Sequence, residues 1–199
     1  MGDESNVKKS SRSDVEARID FLLEMEKLKN VLRKTRPHGL SRLENSAEHS
    51  WQTTLAALLF MPEGLDALKV LKMLLIHDIV EIDAGDVFVY DDKGRADVAE
   101  VEHAAAVRLF AMLPEPQSAQ LMALWEEFEG RRTPEARYAK AMDRVCPVIQ
   151  NLNASVSSWT EHDISRQQVL EKNREIENAN PELWAHLKNE IDRAPLREE

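Results

Sequence analysis

His49, the adjacent pair His77 and Asp78, Glu81 one turn further on, Asp86 and Asp143 are residue types that together can build a metal-assisted hydrolytic site. Imidazole nitrogen and carboxylate oxygen suit a first-row divalent ion, and a site that leaves some positions to water is catalytic rather than structural. His77 and Glu81 are four residues apart and so share one helix face, whereas Asp78 projects about 100 degrees around from His77. An Asp and a Glu closing an apolar helix are costly to bury unpaired, so a compensating cation makes physical sense, the plainer alternative being an exposed helix end. A second His-Asp pair, His162-Asp163, falls in an expected loop and carries little weight.

The elements that must position these residues read as helices. With 6 Gly, 8 Pro, no long β-branched alternation and abundant Ala, Leu, Glu, Lys and Arg, the expected class is all-α. A chain of 199 residues with 43% hydrophobic content closes one sizeable core, so a single domain is expected over 13–195, after a disordered polar tail at 1–12. Ser13 and Glu16 form a capping box before apolar residues at helical spacing, Val15 to Leu32. Asn45 and Glu48 form a second, which puts His49 in the first turn of the next helix. A nearly continuous apolar helix is expected from Asp66 to Glu81, then a loop from Asp86 to Gly94, bordering the site. Helices over 96–113 and 117–129 follow, the second stopped by Gly130. Thr133 and Pro134 open the helix that carries Asp143, with a kink expected at Pro147 because proline cannot donate to the Asp143 carbonyl. Two amphipathic helices close the chain, over about 164–178 and 181–193, the latter capped by Asn180.

Composition narrows the function. The single cysteine, Cys146, excludes an internal disulfide or a cysteine-rich zinc site and reads as a buried structural thiol. The start lacks the apolar region of a secretory signal and no run approaches the length of a bilayer span, so a cytoplasmic protein with no membrane partner is expected. A formal charge of −10 argues against a nucleic-acid polymer as partner but leaves room for a small anionic substrate. Arg33, Lys34, Arg36, His38 and Arg42 form a local basic cluster able to draw in a phosphate. Arg33 and Arg42 are the candidates for substrate binding. The bland alternative is a solvated loop whose arginines pair with surface acids such as Glu44. Trp51, Trp125 and Trp159 are assigned to packing.

The pattern of a His, then His-Asp, then a distant Asp resembles the HD-domain metal-dependent phosphohydrolases. Ala47-Glu48-His49-Ser50, His77-Asp78-Ile79-Val80-Glu81, Gly85-Asp86 and Ala139-Lys140-Ala141-Met142-Asp143-Arg144 resemble the 5′-deoxynucleotidase-like branch, over a metal-site core of about 25–155. The resemblance implies an HD-domain helical bundle with additional C-terminal helices. It also implies His49, His77, Asp78 and Asp143 as ligands of one divalent ion, with Glu81 and Asp86 as unligated catalytic carboxylates. Mn²⁺ or Co²⁺ is the ion it favours, with Mg²⁺, Zn²⁺, Fe²⁺ and Ni²⁺ as alternatives. A divalent ion acidifies a water it holds and neutralises phosphate charge, and Glu81 is then the group to orient or deprotonate that water. His103 is the only histidine between the pair and Asp143, where two-metal relatives supply more, so it reads as an ordinary helix residue. Better-known nucleotidases of the branch carry an Arg-Trp pair near the end of the first helix, whereas this chain has Arg33-Lys34-Thr35 and lacks that stacking tryptophan.

The expected activity is hydrolysis of a deoxyribonucleoside 5′-monophosphate to nucleoside and phosphate. The alternatives are an HD hydrolase of another phosphorylated metabolite or nucleoside triphosphate, and a noncatalytic metal-binding helical interaction module. Similar proteins imply a homodimer, for which the apolar faces of the last helices are available, although packing within one chain explains the same periodicity.

Overall fold

The computed structural model describes residues 12–91 and 98–198. The expected tail at 1–12 therefore lies outside the described residues except for Arg12, and so does the end of the expected loop from Asp92 onward. The architecture is all-α, in chain order α1 (Asp14–Met25), α2 (Ser46–Leu59), α3 (Ala67–Ile76), α4 (Glu81–Ala84), α5 (Val98–Phe110), α6 (Gln117–Gly130), α7 (Pro134–Asn153), α8 (Ser158–Glu161), α9 (Arg166–Asn173), α10 (Glu175–Ala179) and α11 (Pro181–Arg193).

The starts follow from side chains that accept the otherwise unpaired N–H groups of each first turn. Ser13 and Glu16 form the reciprocal box of α1, and Asn45 and Glu48 that of α2. Thr133 caps α7 ahead of Pro134, and Asn180 caps α11 ahead of Pro181. Asn45 matters beyond its helix because it sets the turn that presents His49. Replacing it with alanine is expected to lower unfolding stability by about 1 kcal/mol, read from the denaturant midpoint.

Three local expectations are corrected. The first helix ends at Met25, a 3-10 turn covers Glu26–Asn30, and Leu32 lies in extended backbone bridged antiparallel to Asn45. Val15, Ile19 and Leu22, apolar at helical spacing, are exposed, while Ala17 and Leu28 turn inward. The helix expected from Asp66 to Glu81 breaks after Ile76 into a 3-10 turn, His77–Val80, before α4. His77 Nδ1 lies 2.8 Å from the Leu74 carbonyl oxygen, and Trp125 Nε1 donates to the His77 carbonyl at 3.3 Å. Side chains thus take two backbone acceptors around the break. Finally, α6 includes Gly130, and it is Arg131, at φ 50°, that takes the left-handed turn after it.

The scaffold of the site is α2, α3 and α7 packed against one another. Ala136, Ala139 and Ala141 on α7 are fully or almost fully buried, and such small side chains let helices approach closely. The Tyr138 hydroxyl donates to the Ala57 carbonyl at 3.0 Å, tying α7 to α2. α7 runs on through Pro147 to Asn153. The last helices spend their apolar residues internally: Leu183, Trp184, Leu187 and Ile191 of α11 all join the main core.

Candidate metal centre

Four helical elements and one loop deliver the chemistry to one place. α2 brings His49, the 3-10 turn brings His77 and Asp78, α4 brings Glu81 and the following loop Asp86, and α7 brings Asp143. His49 Nε2 lies 2.8 Å from Asp143 Oδ1 and 3.8 Å from Asp78 Oδ2. His77 Nε2 lies 3.1 Å from Asp78 Oδ1 and 3.4 Å from Asp143 Oδ1. Donor atoms of His49, His77 and Asp78 fall within 4.8 Å of one another.

The donor set fits a cation. A carbonyl only accepts, so His77 Nδ1 carries the proton it gives to Leu74, which leaves Nε2 as a lone pair. That atom is buried without a hydrogen-bond partner and faces oxygens of two carboxylates. Three electron-rich atoms turned toward one point repel unless a positive ion sits among them. The electrostatics of His49 agree: burial and Arg33 disfavour its protonation, yet contacts with Asp143 and Glu44 and the charge of Asp78 raise its pKa to about 9. Burial pushes the Asp143 carboxyl up, but its 2.8 Å contact with His49 holds it well below the ordinary range.

Arg33 completes the cluster. Its Nη1 donates to Asp78 at 2.9 Å and lies 3.2 Å from Asp86 and 3.7 Å from Glu81. Burial disfavours its charge, but the charges of Asp78, Asp86 and Glu81 raise its pKa above the ordinary arginine value. Glu81 accepts from the Ser46 hydroxyl at 2.5 Å. Burial and the nearby Asp78 charge push its carboxyl well above the usual range, against the pull of Arg33. Burial, opposed by Arg33, likewise raises Asp86. Arg33, His77, Asp78, Glu81, Asp86 and Asp143 all line one cleft, whose walls continue through Phe88, Tyr90 and Trp159.

Other candidates lie apart. Arg42 is about half exposed and pairs with Glu48 at 2.8 Å. Arg36 pairs with Glu161, and His38 Nδ1 lies 3.3 Å from the Asn153 carbonyl oxygen. His103 is exposed on α5 beside Glu126, and the His162-Asp163 pair sits in a turn after α8. Trp125 and Trp159 are packing residues, whereas Trp51, also expected in the core, is 66% exposed. Cys146 is buried, and burial lifts its thiol to about 12.

Glu44, expected among surface acids, is instead 1% exposed behind His49, where it accepts from Thr35 at 3.1 Å and from Gln150. One signal was legible: Gln150 follows Asp143 by seven residues, two helical turns, and so shares its face. Glu44 itself has no comparable signature. An acid just before a helix cap looks the same whether the chain passes over the surface or under it.

An HD-domain family model matches residues 25–184, a span that includes every residue of this cluster. The chain is 42% identical to a predicted metal-dependent phosphohydrolase of Magnetospirillum magnetotacticum MS-1, whose crystal structure covers 91% of this chain and 92% of that one with a TM-score of 0.84. It is 28% identical over 151 residues to the 5′-deoxynucleotidase HDDC2 of Homo sapiens, covering 75% of this chain and 72% of that protein. It is 23% identical over 133 residues to the 5′-deoxynucleotidase hdd1 of Schizosaccharomyces pombe, covering 65% and 67%. A crystallised HD-domain phosphohydrolase of Listeria innocua, 18% identical at a TM-score of 0.59 over 88% and 98% of the two chains, shares the fold. By the matched span and by the cluster that lies within it, this chain belongs to the HD-domain family.

Proposed function

We propose that this protein is a metal-dependent phosphohydrolase acting on deoxyribonucleoside 5′-monophosphates, releasing nucleoside and inorganic phosphate. The observation that carries the reading is the His77 lone pair facing two carboxylates, in a cleft it shares with Glu81 and Arg33. The names of the HDDC2 and hdd1 relatives support the substrate class. His49, His77, Asp78 and Asp143 would hold one divalent ion, Mn²⁺ or Co²⁺ by family likeness, which supplies Lewis acidity and an acidified water.

The chain's own groups do the rest. Arg33, kept charged by its carboxylate neighbours, is the cationic partner for the phosphate oxygens. Glu81, held by Ser46, takes the proton of the attacking water as the new oxygen–phosphorus bond forms. The phosphorus–O5′ bond breaks and the leaving oxygen takes a proton from the Asp86 carboxyl, raised by burial and assigned by us to the leaving side, which solvent then reprotonates as Glu81 gives its proton up. Half-buried Phe88 is the apolar wall for the base, in place of the tryptophan missing after Arg33. Arg42 has no part in this scheme, because it is committed to Glu48 at the surface.

We infer that residues 13–195 fold as a single HD domain. No helix among the described residues is long and apolar enough to cross a membrane, and a cytoplasmic location is proposed with that in view. The homodimer is proposed to use α2 and α3, where Trp51, Leu55, Leu58, Leu59, Leu68 and Leu75 are exposed, and not the last helices, whose apolar residues are spent in the core.

The test is phosphate release by chelated protein reloaded with Mn²⁺, Co²⁺, Mg²⁺ or Zn²⁺, across 5′-deoxynucleotides, 5′-ribonucleotides, 3′-nucleotides and sugar phosphates. Release that needs the metal and is confined to 5′-deoxynucleotides is the expected result. Release from a different ester keeps the centre and changes the substrate, and silence throughout turns the protein into a noncatalytic metal-binding module.

A further inference from the structure

We propose that Glu44 is a positioning residue for both halves of the centre, orienting His49 toward the metal position and Arg33 toward the phosphate position. This rests on the function proposed above and adds a residue to it. A carboxylate that is 1% exposed has given up its hydration, a loss that its surroundings must offset. Here they do so by clamping it from several sides. Oε1 accepts from Gln150 Nε2, which also reaches Gln52 at 3.2 Å, and Oε2 accepts from the Thr35 hydroxyl at 3.1 Å. The backbone is held as firmly: Glu44 N donates to the Thr35 carbonyl and Arg33 N to the Glu44 carbonyl, both at 2.9 Å.

Held in this way, Oε2 lies 3.6 Å from His49 Nδ1 and 3.6 Å from Arg33 Nε. Both nitrogens are buried and have no hydrogen-bond partner. The opposite edge of His49, Nε2, faces Asp143 and Asp78. For Nε2 to offer its lone pair to a cation the ring proton must reside on Nδ1, and Glu44 is the acceptor that Nδ1 faces. His77 solves the same problem with the backbone carbonyl of Leu74, which no substitution removes. At His49 the equivalent partner is a side chain, so its contribution can be tested. For Arg33, Glu44 on Nε and Asp78 and Asp86 on Nη1 hold the guanidinium at two points and so define its plane.

The test is Mn²⁺ titration calorimetry on chelated wild type, Glu44→Gln and, as a control, Glu63→Gln, which alters an exposed acid outside the centre. Glu44→Gln keeps size and shape and is expected to weaken Mn²⁺ binding about 10–100-fold, to shrink the Mn²⁺-induced rise in Tm, and to raise KM at saturating metal. Glu63→Gln is expected to bind as wild type. Wild-type Mn²⁺ affinity in Glu44→Gln overturns the proposal, even if the chelated variant melts lower, since that would mark a brace and nothing more. An equal loss in both variants overturns it as well. Should Glu44→Gln fail to fold, Gln150→Leu loosens the clamp with the carboxylate retained; a smaller loss of Mn²⁺ affinity supports the proposal, and wild-type affinity overturns it. If wild type itself binds no Mn²⁺, the metal reading and this proposal fall together, which separates that failure from the others.

Discussion

Asp78→Ala is expected to lose bound divalent metal and phosphohydrolase turnover together, with the fold intact. Asp78 faces both imidazoles and is the 2.9 Å partner of Arg33, so its removal takes a ligand from the centre and an anchor from the arginine. It lines the cleft among polar groups, so its removal takes no apolar packing from the core. Lewis-acid stabilisation of a phosphoryl transition state contributes several kcal/mol, and about 4 kcal/mol corresponds to roughly a thousandfold in rate. The check is metal content by mass spectrometry alongside phosphate release, and His77→Ala should behave alike. Full activity in a metal-free Asp78 variant would falsify the centre.

Glu81→Gln is expected to separate the two properties that Asp78→Ala loses jointly. Glu81 stands next to the donors and not among them: its carboxylate binds Ser46 and lies 3.7 Å from Arg33. The amide preserves shape and an acceptor for Ser46 but cannot take a proton, so metal binding persists while kcat drops about 10²–10⁴-fold, the usual worth of a general base. Stability should move the other way or stay level. Burial and the charges of Asp78 and Asp86 already oppose ionisation of Glu81, and a neutral amide relieves that repulsion, as expected where function is held at the expense of stability. Denaturant midpoints of chelated wild type and variant, set beside kcat and metal stoichiometry, decide it. A variant that loses metal as well, or that keeps wild-type kcat, would move Glu81 out of the base role.

Much of this protein is decided within short stretches of chain, and those parts were readable directly. The caps at Ser13, Asn45, Thr133 and Asn180 act on N–H groups two or three residues away, so residue type and spacing suffice to place them. Composition alone set the all-α class, and residue type together with the resemblance to the HD-domain pattern singled out His49, His77, Asp78 and Asp143, whose side chains lie together. Even locally there were limits. The 3-10 break at His77 is not in the helical period, and the carbonyl it frees accepts from Trp125, 48 residues away in sequence.

What tertiary structure alone decided is which side of each segment faces inward. Val15, Ile19, Leu22 and Trp51 have the residue types of a core yet remain at the surface, because periodicity says which residues share a face and not whether another element covers it. Arg33 and Arg42 were equivalent members of one basic cluster until the pairing of Leu32 with Asn45 turned the first toward Asp78 and left the second with Glu48. His49 and Asp143 stand 94 residues apart and touch because α2 packs on α7. Glu44 was an ordinary acid in a polar loop until that same packing buried it behind His49. Residue chemistry is a property of the chain, but charge, hydration and metal affinity depend on what lies within about 4 Å, and in this protein those neighbours come from segments far apart in sequence.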